Sequence, residues 1–335
     1  MALITEKTDL DQILLDMSNL SDLNTNFTNT MGLPVANPYP FSVLGRLKNI
    51  DLQLIALNQA VFTQFLLGWV FNALADVYSL AIDLNNNIYV GENTNVKKVD
   101  PSGNLIWTYN CGAIVNGVCV DTTGYSYCVD GNGYLTKISP LGSLVWTIDV
   151  GYALFCVCVD SETGNIYVGG SNLSIVDNTG VKGWSLDTGS VILGINYQVY
   201  ENFVNTVDEN GKLTQSVNGT QTNQVDVTGD GFCVCSDSLN NLITGDGGWY
   251  VTKWNTSLTQ SWQYQMTGNV RAITTDPLQN VYATDVNGLV TKISPTGSEI
   301  YSYSNIAEIR AIVIDTLYEI YIGDLNNNVT QLIQA

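Results

Sequence analysis

Short apolar segments alternate with polar turns along most of the chain, from about residue 65 to the C-terminus. Runs rich in β-branched and aromatic residues, such as 88–90 and 166–168, have the composition and length of strands rather than helices. Clusters of Asn, Asp, Gly and Pro separate them, as at 85–87 and 130–133. Strands and turns in such regular succession predict an all-β domain.

One unit of about 40 residues recurs within this pattern. An aromatic residue stands fourteen residues before an aspartate at five places: Trp69–Asp83, Trp107–Asp121, Trp146–Asp160, Trp262–Asp276 and Tyr301–Asp315. A sixth aspartate of this kind is Asp237, and a degenerate copy between Leu193 and Gly211 fills the double gap before it. Seven units, each with four short strands, predict a β-propeller.

The two ends of this array predict how the ring closes. The last unit stops at residues 330–335, after its third strand, and so lacks a fourth. The segment 66–71, which contains Trp69, precedes the first full unit and keeps the fourteen-residue interval. We expect this N-terminal strand to complete the last blade, because a closed ring leaves no sheet edge exposed.

The repeat Asp-x-x-x-Asn-Ile-Tyr-Val, as it stands at 83–90, resembles the NHL-like and YVTN-like propeller repeats over roughly residues 65–335. That resemblance implies architecture and not activity, since such propellers serve many functions. The sequence therefore predicts a seven-bladed β-propeller over 65–335, closed by an N-terminal strand and preceded by a short helical segment.

Residues 1–64, which precede the predicted propeller, have apolar residues at helical spacing instead of the strand pattern. Residues 1–31 carry apolar side chains at helical spacing and predict an amphipathic helix, and the Gly- and Pro-rich stretch 32–40 predicts a linker. Residues 41–64 predict a second helix, in which alternating intervals of three and four resemble the a/d positions of a coiled coil. The residues at these intervals are Leu47, Ile50, Leu54, Leu57 and Val61. The pattern favours a homo-oligomer formed through 41–64, and the alternative is a helix packed on its own propeller.

Composition and charge narrow the possible functions. The net charge is −19 with only 12 lysines and arginines, which argues against nucleic acid and anionic membranes as partners. The N-terminus lacks the pattern of a cleaved signal peptide, and the most apolar stretch, 61–75, is too short to span a bilayer. No histidine is present, which excludes a Ser-His-Asp mechanism, and no motif predicts a cofactor.

We interpret the recurring aspartates and the cysteines as structural residues. The aspartates recur in unit after unit, whereas a catalytic site is usually made once. Five of the seven cysteines stand two or four residues before a recurring aspartate, where other units carry small residues such as Ala81 and Ala272. We therefore interpret cysteine here as a small buried side chain and predict no metal site. The five are Cys119, Cys156, Cys158, Cys233 and Cys235. The segments 83–87 and 324–328 resemble the first half of a calcium loop, and hairpin turns are the favoured interpretation.

Three aromatic residues outside the repeat pattern are the predicted binding residues. Trp249 and Tyr250 follow a glycine-rich turn of the fifth unit, and Tyr152 lies in the connection that enters the third. Both connections belong to the same face of a propeller. An aromatic side chain there can stack on a sugar or anchor a protein. The alternative is that Trp249 folds back on its own blade.

The layout of the whole chain resembles fibre and head or tail appendage proteins of tailed bacteriophages. It implies a non-enzymatic virion protein, made in the host cytoplasm without a signal peptide. Its N-terminus would dock on particle, capsid or tail proteins, and its propeller would bind a host-surface glycan or protein or decorate the particle. The alternatives are a propeller lyase or hydrolase that uses carboxylates of the central channel, and an intracellular protein-interaction scaffold.

Molar mass in solution tests the self-association. We expect the full chain to be an oligomer, and a chain lacking residues 1–62 to be a monomer, as measured by light scattering. The oligomer should dissociate because the a/d residues are removed. If both chains are monomers, the coiled-coil interpretation is wrong.

Overall fold

The computed structural model describes residues 64–198, 201–304 and 306–334. The predicted helix 1–31, the linker 32–40 and nearly all of the predicted helix 41–64 lie outside these residues and stay predictions. The described chain forms 28 strands in seven four-stranded sheets. The predicted all-β, seven-bladed propeller is therefore confirmed.

The blades are numbered I to VII in chain order, each with its innermost strand first. Blade I has β2 (Val77–Ile82), β3 (Ile88–Glu92), β4 (Asn95–Val99) and β5 (Leu105–Asn110), and blade II has β6 (Val115–Val120), β7 (Ser126–Asp130), β8 (Tyr134–Ile138) and β9 (Leu144–Asp149). Blade III has β10 (Leu154–Val159), β11 (Ile166–Gly170), β12 (Leu173–Val176) and β13 (Lys182–Leu186), and blade IV has β14 (Ile192–Gln198), β15 (Phe203–Asp208), β16 (Lys212–Val217) and β17 (Thr220–Asp226). Blade V has β18 (Gly231–Ser236), β19 (Leu242–Asp246), β20 (Tyr250–Trp254) and β21 (Gln260–Gln265), and blade VI has β22 (Val270–Thr275), β23 (Val281–Asp285), β24 (Val290–Ile293) and β25 (Glu299–Tyr303). Blade VII has β26 (Ile309–Ile314), β27 (Ile320–Asp324), β28 (Asn328–Gln334) and, from the other end of the chain, β1 (Phe65–Asn72).

The ring closes between the two ends of the described chain. Strand β1 pairs antiparallel with β28, from Phe65 opposite Gln334 to Asn72 opposite Asn328. Trp69 lies on β1, where its indole nitrogen donates to the carbonyl oxygen of Pro101 in blade I at 3.0 Å. The N-terminal strand thus supplies the fourth strand of blade VII, as the Trp69–Asp83 interval predicts.

Burial differs systematically across each blade. The second strand is buried almost throughout in all seven blades, because a neighbouring blade covers each of its faces. Outer strands such as β5, β9 and β21 alternate between exposed and half-buried positions. This gradient explains why second strands are continuous apolar runs, whereas outer strands keep every second position polar or exposed.

In four blades the recurring aspartate binds the first turn to the second strand. In blade VI, Oδ1 of Asp276 accepts the backbone N–H of Asn280 at 2.9 Å, and Oδ2 accepts the hydroxyl of Tyr282 at 2.9 Å. The same pairing of aspartate and tyrosine, six residues apart, occurs in three other blades as Asp83–Tyr89, Asp121–Tyr127 and Asp315–Tyr321. The structure thus uses these carboxylates as turn acceptors.

The aromatic residues of the outer strands join neighbouring blades. The indole of Trp107 in blade I donates to the carbonyl oxygen of Pro140 in the third turn of blade II at 3.0 Å. The ring also lies against Gly142, which has φ of +82° and whose added Cβ would come within 2.8 Å of the indole. Only glycine suits this turn, because a side chain would be both strained and blocked. Equivalent indole bonds are Trp146 to Asn178 and Trp262 to Pro295.

Two joints lack the tryptophan, and each has a compensation. Blade IV carries Asn223 where five other blades carry tryptophan, fourteen residues before Asp237. In the turn that would receive the indole, the buried side chain of Leu258 replaces the usual glycine and fills the space. Blade VII has no third turn, because its fourth strand comes from the N-terminus. Accordingly Tyr301 of blade VI replaces tryptophan, and its hydroxyl donates to Oε1 of Gln334 at 2.7 Å.

Removing one turn carboxylate should destabilise the propeller measurably. We expect Asp276→Ala to lower the free energy of unfolding by roughly 3 kcal/mol in urea denaturation, because it leaves buried donors of Asn280 and Tyr282 without their acceptor. Asp100→Ala is the matched control, since Asp100 makes the same kind of turn at the surface. An equal loss in both variants would contradict the importance of burial.

Lys292 should make the stability depend on pH. Its side chain is only 1% exposed, and burial lowers the pKa of its ammonium group to about 8, although Asp276 opposes this shift. Because the folded-state pKa lies below the unfolded value, folding favours the neutral lysine. The contribution of Lys292 to stability is lost as pH falls towards 8 and recovered as pH rises. Between about pH 8 and 9.5, below the ordinary pKa of tyrosine, we expect the contribution of Lys292 to the free energy of unfolding to rise by up to about 1.4 kcal/mol per pH unit. The cysteines act in the opposite direction over this range, because burial raises the pKa of thiols such as those of Cys119, Cys156 and Cys233. The contribution of Lys292 is therefore measured as a difference between two proteins.

The control is Lys292→Met, which removes the titrating group and keeps most of the side-chain volume. Urea denaturation at pH 8 and pH 9.5 should show that the free energy of unfolding of the natural protein rises relative to that of the variant, by up to about 1.4 kcal/mol per pH unit. The same slope in both proteins would assign the pH dependence to other groups.

Candidate binding site at the channel mouth

The innermost strand of every blade has a bulge at the same place. Its ladder with the second strand shifts register by one residue, which leaves one residue of the innermost strand unpaired. A bulge re-aims the side chain of the extra residue. The seven unpaired residues, which we call the mouth ring, are Tyr78, Asn116, Phe155, Leu193, Phe232, Arg271 and Arg310.

The mouth ring surrounds the central channel. Its seven residues line a cavity of about 180 Å³. A larger cavity of about 260 Å³ contains most of the same residues and continues along the innermost strands. Its deeper lining includes the apolar side chains of Leu80, Val118, Val234 and Ile312. The site therefore combines a chemically mixed entrance with an apolar interior.

The residue after each bulge is small, and this is required by the close approach of the innermost strands. The seven are Ser79, Gly117, Cys156, Gly194, Cys233, Ala272 and Ala311. A Cβ added to Gly194 would lie 3.0 Å from Cα of Cys233 on the neighbouring blade. With small residues at this level, the mouth ring supplies most of the large side chains around the entrance.

Two arginines on neighbouring blades give the mouth ring its charge. The guanidinium carbon of Arg271 lies 4.0 Å from the centre of the Phe232 ring. Arg310 forms an ion pair with Glu308, with 2.5 Å between Nη2 and Oε1. The Nε atoms of both arginines are buried and have no hydrogen-bond partner among the described residues.

The two guanidinium groups also affect each other. Burial, followed by the positive charge of Arg310, lowers the pKa of Arg271. Glu308 and Asp230 act in the opposite direction. On the neighbouring blade I, burial and the charge of Asp76 raise the pKa of Tyr78, and the positive charge of Arg310 opposes this shift. The arginines therefore carry like charges that are close together and partly removed from water.

The turn that carries Trp249 borders the mouth ring. Trp249 lies between β19 and β20, has φ of +74° and is 46% exposed. In the same turn, a Cβ added to Gly247 would lie 3.2 Å from Cε2 of Phe232. Tyr250 begins β20, and its backbone N–H donates to Oδ1 of Asp246 at 2.9 Å. A binding role for Trp249 and Tyr250 stays a prediction.

Tyr152 lies in a connection on the same face, but its side chain is held by blade III. Its hydroxyl donates to Oγ of Ser174 at 2.7 Å, and the ammonium group of Lys182 lies 5.2 Å from its ring centre. Phe155, three residues later, is the member of the mouth ring that this connection leads to, and it is 36% exposed. The connection reaches the entrance, whereas the aromatic ring of Tyr152 mainly packs within its blade.

Sequence reasoning missed the whole mouth ring, although a signal was present. In six blades its member stands five residues before the recurring aspartate, as Arg271 does before Asp276. In blade IV the equivalent of the aspartate is Gln198, which stands fourteen residues after Trp184 and five after Leu193. This position changes its chemistry from blade to blade, while the neighbouring positions stay small or apolar.

Acidic residues do not line the two cavities, whereas Cys156 and Cys233 belong to the lining of the larger one. In the part of the chain that the structure describes, no three His, Cys, Asp or Glu residues are grouped as metal ligands would be, and the seven cysteines are free and buried or half-buried. At the calcium-like turn of blade I, Oδ1 of Asp83 accepts the backbone N–H groups of Asn85 and Asn87, as in a hairpin turn.

Within the described ranges, no helix has both the length and the apolar character that a membrane span needs.

Comparisons with known proteins support the fold. No protein-family model matches this chain, and no curated protein matches it in sequence. Many solved structures match in three dimensions. One is the WD40 β-propeller domain of Doa1, which has 12% sequence identity and a TM-score of 0.74, with 82% of this chain and 98% of that domain covered. At this identity the likeness establishes a WD40-like propeller fold and no more.

Proposed function

We propose that this protein is a non-enzymatic recognition protein that binds its ligand at the mouth ring. The observation that carries this proposal is that seven equivalent bulges present seven side chains of different chemistry to one cavity. A bulged position in a repeated fold has the same structural task in every blade. Differences at that position therefore favour recognition of an asymmetric ligand, because they do not serve the repeat itself.

The surrounding residues suit binding better than catalysis. The recurring carboxylates accept hydrogen bonds from turn N–H groups and tyrosine hydroxyls, as Asp276 and Asp315 do. Such carboxylates are occupied by the fold and lie at the end of the innermost strand away from the mouth ring. A propeller lyase or hydrolase would instead need an acid or base at the cavity, within hydrogen-bond reach of its substrate.

The ligand in this proposal is a glycan or protein of a host surface. Phe155 and Tyr78 offer aromatic faces at the entrance, and Trp249 is an exposed aromatic residue on the turn beside Phe232. Aromatic side chains of this kind can contact the apolar face of a sugar or a side chain of a protein. The small volume of the cavity suits one terminal unit of a larger ligand.

The biological setting belongs to the same proposal and rests on the sequence layout alone. The protein is a virion component made in the host cytoplasm, and its N-terminus attaches to particle, capsid or tail proteins. Residues 41–64 associate with copies of the chain through Leu47, Ile50, Leu54, Leu57 and Val61. Several copies on one particle would increase the strength of attachment, because linked weak sites bind with avidity.

A glycan array tests the site. We expect the natural protein to bind a subset of glycans, Phe155→Ala to lose most of that binding, and Trp249→Ala to weaken it several-fold. Leu141→Ala is the control, because Leu141 is 87% exposed in a third turn at the opposite face of the propeller. All four proteins should have the same thermal unfolding midpoint.

The possible results separate the alternatives. Equal binding by natural protein and Trp249→Ala would remove Trp249 from the site, and equal binding by Phe155→Ala would contradict the site itself. Turnover of a bound glycan would favour the enzyme alternative. Binding of intracellular proteins, with no binding to surface glycans or surface proteins, would favour the scaffold alternative.

A further inference from the structure

The position of the arginines is unusual for this chain. The sequence has only three, and Arg271 and Arg310 stand side by side in the mouth ring. Their blades fold by the same turn and strand contacts as the other five, which carry Tyr, Asn, Phe, Leu and Phe at this position. The fold therefore does not require a cation at either place.

The pair is incompletely neutralised. Glu308 is the one carboxylate within ion-pair distance of either guanidinium in the described residues, and it pairs with Arg310. Arg271 instead stacks on Phe232 and forms no ion pair there. Two positive charges thus face one negative partner, and each arginine keeps a buried Nε–H group without an acceptor. An incoming anion would accept hydrogen bonds from the Nη donors of the guanidinium groups and reduce the repulsion between them.

We infer that Arg271 and Arg310 together bind the carboxylate of an acidic sugar unit, such as a uronic or sialic acid, at the mouth ring. This inference rests on the proposed function and names its ligand class. Guanidinium groups suit this task because their planar donors match the two oxygens of a carboxylate. The aromatic ring of Phe232 holds Arg271 in position by stacking on it.

The charges around the arginine pair favour an anion with a single negative charge. Among the groups in ion-pair contact, the two arginines and Glu308 leave one excess positive charge, which matches the single negative charge of a carboxylate, and Asp230 acts on Arg271 from a greater distance. The whole chain has a net charge of −19, so a phosphate dianion or a polyanion would be repelled more strongly. A single carboxylate on an otherwise neutral body is therefore the preferred ligand.

The remainder of the mouth ring suits a sugar as that body. Asn116 donates its amide N–H to the carbonyl oxygen of Leu154 at 2.8 Å, while its amide oxygen accepts no hydrogen bond from the described residues. A sugar hydroxyl can donate to that oxygen. Tyr78 and Phe155 stand on either side of Asn116 in the order of the blades, where a pyranose can place its C–H face. The cavity lined by the whole mouth ring measures about 180 Å³, which favours one sugar unit over an extended peptide.

The test compares matched sugars by titration with the full-length protein. The probes are the methyl glycosides of glucuronic acid and of a sialic acid, each with its counterpart in which the carboxylate is reduced to an alcohol. We expect at least one acidic glycoside to bind about tenfold more tightly than its reduced counterpart, and the difference to shrink at high salt.

Variants then assign the binding to the pair. Arg271→Gln and Arg310→Gln should each weaken binding of the acidic glycoside by about tenfold and leave the reduced counterpart unchanged. Arg271→Lys should be intermediate, because it keeps the charge and loses the two-pronged donor, and it serves if Arg271→Gln fails to fold. Lys212→Gln is the matched control: it also removes one positive charge, from an exposed pair with Asp226 away from the cavity.

The inference is overturned if acidic and reduced glycosides bind equally, if neither binds, or if the arginine variants bind like the natural protein. It is also overturned if a capped acidic peptide or inorganic phosphate binds more tightly than the acidic glycosides. The proposed function can survive this failure. An array glycan without an acidic unit that binds the natural protein but not Phe155→Ala would retain the recognition site and remove only the carboxylate assignment.

Discussion

The hydrogen bonds between a turn aspartate and its tyrosine fix the end of the innermost strand in four of the seven blades, and the geometry of the channel depends on them. In blade VI, Asp276 connects the turn that follows β22 with Tyr282 on β23. The opposite end of β22 carries the bulge at Arg271. A carboxylate held by turn donors therefore sets the position of a strand whose other end lines the cavity. Since most blades repeat the arrangement, the mouth ring inherits a regular placement although its side chains differ.

Closing the ring imposes a second constraint, because every joint between blades must be filled. Four indole groups do this by donating to a third-turn carbonyl of the next blade. Where the chain departs from that solution, it restores the packing by another means. Leu258 occupies the space that an indole would fill, and Tyr301 reaches Gln334 where no third turn exists. These exceptions show that the packing at the joint is maintained rather than the identity of the residue.

Charge is distributed in a way that suits a recognition protein of the proposed kind. Acidic side chains serve mainly as acceptors in turns, which gives a strongly negative chain without placing carboxylates in the lining of the channel. Buried lysines such as Lys98 and Lys253 pair with the turn aspartates Asp83 and Asp237. Two of the three arginines stand at the cavity, and Glu308 forms an ion pair with one of them, Arg310. A local positive site within a negative surface would reject polyanions and accept a single anionic group.

The sequence by itself determined the repeat, the number of blades and the strand that closes the ring. Those features follow from local chemistry, since turn aspartates and strand periodicity act over a few residues, and the Trp69–Asp83 interval places β1 as a fourth strand. The turn that carries Trp249 was also identified from the sequence, because its glycine-rich sequence differs from the equivalent turns of the other units. The mouth ring was decided only by the tertiary structure. Tyr78, Asn116 and Arg271 are far apart in sequence, and they meet because seven bulges turn their side chains towards one axis, which exists only once the ring is closed.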